Sequence, residues 1–366
     1  MQPEHPTKLD RQMHAVAEHH LLQAGTSFSI HGFGVRFESN SAKVVAAIRE
    51  HFAPYLCEPP QTHLSVVAID SNPPDLGLDF QEWGREPRCV GHRGHRDEYV
   101  DISGGRVVRN PQSGLQFLLG PDISLAVGAC ARHPAPLIEL VNARYTEHLV
   151  QRGWLACNAA AVARGDDGIV LCGAPGIGKS SLALRLLERG AALLSSDRVM
   201  VSVGHGEPRM LGVPSLVRVN PGTMLATSRL AGLLTSARAS ALTRLTMSDL
   251  WALEDKQALP LPALFGVDSL QLTAAVRAIV ALRWQPGRLG TLDVERCRLR
   301  ERPELTGFIA KRPGPFCRSS VRAHGGSAPV VDLAPYLEQL GELPVLELRG
   351  GVDFEAATEH CLSLLA

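Results

Sequence analysis

Gly173-Ala174-Pro175-Gly176-Ile177-Gly178-Lys179-Ser180 is the stretch on which the fold turns. It fits G-x-x-x-x-G-K-[ST], the phosphate-cradling P-loop or Walker A motif. The motif is informative only between a strand and a helix, and the flanking sequence predicts both. Residues 168–172 are a short apolar run of buried-strand length. Residues 180–189 carry Leu182, Leu184, Leu186 and Leu187 before Gly190 stops the helix. Glycines let successive backbone N–H groups turn toward an anion, and the helix N-terminus adds partial positive charge. Gly173, Ala174, Pro175, Gly176, Ile177, Gly178, Lys179, Ser180 and the following Ser181 are therefore the expected nucleotide contacts. Lys179 reaches for the outer phosphates, and the Ser180 hydroxyl is the expected ligand of Mg²⁺.

Bulk composition narrows the field. A chain of 366 residues has room for two domains, and its 45% hydrophobic content supplies an ordinary core. Lys+Arg and Asp+Glu are both 37, so no net field points to nucleic acid, and sparse aromatics at 5% argue against base-stacking surfaces for it. The eight cysteines (57, 89, 130, 157, 172, 297, 317, 361) include no C-x-x-C pair and read as reduced thiols. Residues 1–10 lack a signal-peptide core, and no apolar run approaches ~18 residues, so neither secretion nor a membrane span is expected. The expected location is the cytoplasm.

From the N-terminus, a helix is expected over 11–23, a strand pair at 28–31 and 34–37, a helix over 41–52 and a strand over 62–69. Cys89, His92 and His95 lie close together, but their spacing is not a standard zinc pair and no second cluster completes a tetrahedron. Strands are expected at 99–103, 105–110, 114–119 and 123–129. Residues 1–130 thus read as a smaller α+β module of unassigned role. Pro134-Ala135-Pro136 marks a boundary, and 131–366 reads as the catalytic domain, opening with a helix over 137–152 and a strand over 154–163. After the P-loop helix, the apolar run 191–194 leads into Ser195-Ser196-Asp197-Arg198 and a strand over 199–203. Asp197 stands where P-loop proteins keep a metal-facing or base carboxylate; a plain turn or cap is the alternative. Residues 223–253 read as helical with Trp251 in the core, 276–284 as a strand, 295–304 as an exposed charged segment, 343–348 as a strand and 354–365 as a closing helix. Strands and helices alternate, which is the pattern of an α/β fold.

Residues 154–203 resemble the catalytic domain of HPr kinase/phosphorylase, which phosphorylates a serine on a bacterial phosphocarrier. That family shows a strand beginning H-G-V-L-V, then G-x-S-G-x-G-K-S-E, a helix ending R-G, and A-D-D-R-V. The matching pieces here are Asn158-Ala159-Ala160-Ala161-Val162, 173–181, Arg189-Gly190 and Ser195-Ser196-Asp197-Arg198-Val199, with no insertion or deletion between Asn158 and Val199. Lys311-Arg312-Pro313-Gly314 is similar to a V-R-P-G turn of the same family. The resemblance implies a P-loop kinase domain of the HPr kinase/phosphoenolpyruvate carboxykinase-like type. It makes Asp197 the acceptor of the proton from the hydroxyl being phosphorylated. Three positions depart from the family: its histidine is Asn158 here, its glutamate Ser181, and the first aspartate of its pair Ser196. Those changes put the reverse, phosphorylase activity in doubt. Chain length, the N-terminal module and residues 212–222 are more similar to the HPr-kinase-related group labelled kinase B.

The expectation is an ATP- and Mg²⁺-dependent kinase that transfers the γ-phosphoryl group to a hydroxyl, by resemblance a protein serine. Arg218 and Arg312 are the candidate cations for the developing charge, and Lys179, Asp197 and Ser180 fill the roles already given. A small-molecule acceptor stays open. The alternative from another class is a nucleotide-binding regulatory module without transfer, recommended by the changes at 158, 181 and 196. No N-K-x-D or L-S-G-G-Q stretch supports a GTPase or an ABC-type ATPase. The family assembles as hexamers, which leaves a homo-oligomer open.

Overall fold

The computed structural model describes residues 6–84, 97–204, 206–253, 255–285, 288, 290–318 and 330–365; Cys89, His92 and His95 fall outside them. The chain forms two compact units, Met1–Gln151 with Pro313–Val330, and Arg152–Arg312 with Val331–Ala366. The division falls later than the expected 130/131 boundary, and a late segment returns to the first unit.

The first unit is an eight-stranded sheet. Its strands are β1 (Ala24–Ile30), β2 (Phe33–Ser39), β3 (Leu64–Asp70), β4 (Gln81–Glu82), β5 (Glu98–Ile102), β6 (Gly105–Asn110), β7 (Leu115–Leu119) and β8 (Ile123–Gly128), in the order β1-β2-β3-β8-β7-β6-β5-β4. His31 (φ 48°) and Gly32 (φ 86°) form the two-residue turn of the β1–β2 hairpin, both left-handed as a type I′ turn requires. Helix α1 (Lys8–Ala17) starts three residues before the expected position, because Thr7 and Asp10 form a reciprocal capping box ahead of it. Helix α2 (Ala42–His51) buries Val44, Val45 and Ile48, as the periodicity predicts. Helix α3 (Ala135–Val150) belongs here and not with the second unit: Tyr145 and His148 pack on Phe33, at 5.8 and 4.7 Å between ring centroids. The returning segment is pinned by the buried Arg106, which donates to the carbonyls of Pro315 (3.1 Å) and Cys317 (2.9 Å) while pairing with Asp101.

The second unit is a mixed sheet with helices on its faces. In chain order its elements are β9 (Leu155–Cys157), β10 (Ala159–Arg164), β11 (Asp167–Gly173), α4 (Lys179–Glu188), β12 (Ala192–Ser195), β13 (Val199–Ser202), β14 (Arg209–Gly212), β15 (Arg218–Val219), α5 (Pro221–Ala226), α6 (Ser228–Ala231), α7 (Ser236–Thr243), α8 (Met247–Ala252), β16 (Gln257–Ala258), α9 (Leu261–Phe265), β17 (Thr273–Leu282), β18 (Leu292–Arg298), α10 (Thr306–Ile309), α11 (Ala334–Leu340), β19 (Pro344–Gly350) and α12 (Phe354–Leu362). The sheet runs β12-β10-β11-β17-β14-β13-β9, with β19 beside β17 and β18 beyond it; β11–β17 and β17–β19 are parallel. Both faces are buried, so β10 and β11 read as continuous apolar runs. Ala160, Val162, Ile169 and Leu171 share a core with Leu182 and Leu186 of α4. The alternate residues, including Ala161, Val170 and Cys172, pack with Leu305, Ile309 and Tyr336 on the other face.

Three expectations are revised. The single strand over 154–163 breaks at Asn158, whose N–H leaves the ladder to donate to the Ile309 carbonyl at 2.6 Å. The charged segment 295–304 is mostly exposed, as expected, but it is not irregular throughout: 295–298 end strand β18, which pairs with β19, and the turns after it bury Leu299 and Leu305. The helical stretch 223–253 is four short helices. No helix among the described residues is long and apolar enough to cross a membrane. No disulfide joins the described cysteines; Cys130, Cys157, Cys172 and Cys361 are buried and Cys57 is exposed.

Candidate functional site

The loop between β11 and α4 is shaped by its glycines. Gly173 has φ +146°, and a Cβ there would stand 2.7 Å from the Leu282 carbonyl oxygen. Gly178, the N-cap of α4, has φ +106° and would place a Cβ 3.0 Å from the Phe354 ring. A side chain at either position meets both backbone strain and a neighbour. The Lys179 ammonium spans the loop, donating to the carbonyls of Gly173 (3.0 Å) and Ala174 (3.1 Å). Burial pushes its pKa down, opposed chiefly by the Asp197 carboxylate. Ser180 Oγ faces the Ser196 carbonyl at 3.5 Å, and the Ser181 hydroxyl shares a hydrogen bond with Thr223 at 2.8 Å.

Two indoles hold the loop in place. Trp284 Nε1 donates to the Ile177 carbonyl at 2.7 Å, and Trp251 Nε1 to the Gly176 carbonyl at 2.8 Å. Trp251, expected in the core, is half-buried against it and also anchors the loop. Beneath the loop, burial pushes the Cys172 thiol up to about 12, so it is unreactive.

Asp197 stands at the tip of the turn joining β12 to β13. The Ser195 hydroxyl fixes that turn, donating to the Val213 carbonyl (3.2 Å) and accepting the Arg198 N–H (3.3 Å). The Asp197 side chain is 55% exposed and is met by Lys311 Nζ at 3.2 Å. Backbone pairing explains how a residue so distant in sequence arrives there. β9 pairs with β13, the strand leaving Asp197, and on its other side bridges Ala310 through Cys157. The Ala156 carbonyl accepts both the Lys311 N–H (2.9 Å) and the Tyr336 hydroxyl (2.5 Å). The Lys311 charge is the main force holding the Asp197 carboxyl down to about 2, against the upward push of burial.

Lys179, Asp197 and Lys311 thus lie within one electrostatic neighbourhood. Lys311 was missed in the sequence, where its neighbour Arg312 was chosen; Arg312 is exposed. Arg218 lies exposed on β15 and donates to the Lys256 carbonyl at 3.3 Å. Among the described residues it makes no hydrogen bond or ion pair to the loop or to Asp197. The Lys256 charge, by contrast, acts on Lys179. The Ser180 hydroxyl and Asp197 carboxylate are hard oxygen donors. They suit Mg²⁺, which takes few protein ligands and keeps waters and phosphate oxygens. Among the described residues no group of three or more His, Cys, Asp or Glu gathers into a protein-only metal cage.

No family model matches the chain, and no curated protein does. Among solved structures it is similar to the Hpr(Ser) kinase/phosphatase from Coxiella burnetii. The identity is 12%, the match covers 58% of this chain and 99% of that one, and the TM-score is 0.28. A likeness at that TM-score carries no argument; the chemistry rests on the residues above.

Proposed function

We propose that the chain is an ATP- and Mg²⁺-dependent kinase that transfers the γ-phosphoryl group to a hydroxyl, with a protein serine the favoured acceptor and a small molecule the second. The supporting observation is the placement of the Lys311–Asp197 pair within the field of Lys179 at the mouth of a glycine loop. In this reading the 173–180 loop is a P-loop whose amides hold the phosphates. Lys179 exchanges the Gly173 and Ala174 carbonyls for phosphate oxygens. Ser180 and Asp197 would hold Mg²⁺, which would supply neutralisation of phosphate charge.

Asp197 orients the acceptor hydroxyl and accepts its proton. A carboxyl held near 2 is a weak base, which suits a loose transition state in which positioning counts for more than proton abstraction. Lys311 keeps that carboxylate ionised and takes the charge-stabilising role expected of Arg218 or Arg312. With Asn158, Ser181 and Ser196 in place of a histidine and two acids, one carboxylate remains, which favours forward transfer over the reverse reaction.

The test is transfer from γ-labelled ATP in a cell lysate, with the wild type beside Lys179→Ala. The proposal expects a labelled protein or metabolite that is absent with the variant. Equal labelling by both proteins, or none by either, counts against it.

A further inference from the structure

An open cleft of about 950 Å³ lies beside the loop, on the side of Ser181 and Thr223. Its walls include Gly176, Arg185, Leu250, Trp251, Val352 and Phe354, all within the second unit. The Trp251 and Phe354 rings face each other 16° from parallel, with centroids 6.5 Å apart. The two near-parallel rings form an aromatic wall of the cleft. The Arg185 guanidinium lies over the Phe354 ring at 5.2 Å and places a cation at the loop side of the cleft.

We propose that this cleft is the nucleobase subsite, with a planar base stacked against its aromatic wall on Trp251. The assignment rests on the phosphate-binding reading of the loop. If the outermost phosphate lies toward Lys179 and Asp197, the nucleoside leaves the loop at its other end, past Ser181. That is where the cleft opens. Two polar groups on its walls are already engaged: the Asp353 carboxylate caps α12 through the Ala356 N–H at 3.0 Å, and the Asn220 carbonyl oxygen accepts the Asp255 N–H at 3.3 Å. Stacking on the aromatic wall supplies the main hold on the base, and it is tolerant of adenine and guanine alike.

Calorimetric titration of the full chain with Mg·ATP and with Mg·tripolyphosphate separates the base from the phosphates. The expected result is Mg·ATP binding at least tenfold tighter than Mg·tripolyphosphate, with Mg·GTP within about threefold of Mg·ATP. Trp251→Leu lowers the ATP-to-tripolyphosphate ratio about five- to tenfold, in line with stacking measured by truncation. Trp251→Phe restores the ratio, although it too loses the bond to the Gly176 carbonyl. Equal affinity for the two ligands in the wild type, both abolished by Lys179→Ala, overturns the subsite and leaves the phosphate reading standing. Equal weakening of both ligands by Trp251→Leu also overturns it, because the indole would then act only through the loop. Absence of binding by either ligand removes the phosphate reading and this inference together.

Discussion

At the scale of single residues, the Lys311–Asp197 pair sets the pH behaviour of the site. The Asp197 carboxyl lies below its unfolded range, so the pairing stabilises the fold above the ordinary carboxyl pKa of ~3.9. That contribution is lost as pH falls through about 2. With the side chain more than half exposed, solvent screening keeps it small. Asp197 stays ionised across the working range of the wild type, so the acid limb of its pH–rate profile belongs to other groups. In Lys311→Met the largest downward influence on the Asp197 carboxyl is gone while burial still pushes it up, so its titration is expected to move above the wild-type value of about 2, read from the Asp197 carboxyl carbon resonance against pH. An unmoved titration would place Lys311 outside the site. Of this arrangement the sequence revealed Asp197, through its place after an apolar strand. It concealed the choice between Lys311 and Arg312, because consecutive side chains on an extended segment diverge, and only the pairing of 309–311 with β9 fixes which one turns inward.

At the scale of elements, the strand–loop–helix unit was legible because its determinants are local. The β11 apolar run, the glycines and the α4 leucines lie within about one supersecondary motif. Gly178→Ala is expected to cost about 1–2 kcal/mol for the left-handed backbone alone, with the contact on Phe354 adding to it. Urea unfolding followed by circular dichroism measures this; a change below about 0.5 kcal/mol would mean the loop relaxes freely. The break at Asn158 and the sheet role of 295–304 were not legible. Both depend on partners far along the chain: Ile309 for the Asn158 N–H, and β19 for the charged strand. Glu295 and Arg302 belong to an ion-pair network around the buried Glu347, so part of this exposed charged segment serves a paired strand. Trp251 packs against the core as its spacing suggested, but its bond to the Gly176 carbonyl was not legible, because that partner lies 75 positions away.

At the scale of the whole molecule, the sequence suggested two parts, and the structure has two units with a different membership. The proline pair around Ala135 was read as a domain boundary, yet it starts a helix whose Tyr145 and His148 pack on the first unit's hairpin. The return of residues near 315 to that unit carries no local signal, because it depends on Arg106 satisfying two carbonyls some 200 positions away. Arg106→Met leaves those buried acceptors unpaired and is expected to cost about 2–4 kcal/mol, seen as a lower urea midpoint. An unchanged midpoint would show that solvent replaces the guanidinium without penalty. In the proposed function the loop binds the phosphates and Asp197 carries the transfer, two roles that one substitution can separate. The measurement is the Mg·ATP dissociation constant and the rate of γ-label transfer, taken side by side on the wild type and Asp197→Asn. Loss of one Mg²⁺ ligand weakens Mg·ATP in the variant, while the loop amides and Lys179 still bind it; the expected transfer rate at saturating Mg·ATP is at least 100-fold lower. Binding without transfer in both proteins, or transfer undiminished in the variant, would contradict the proposed function.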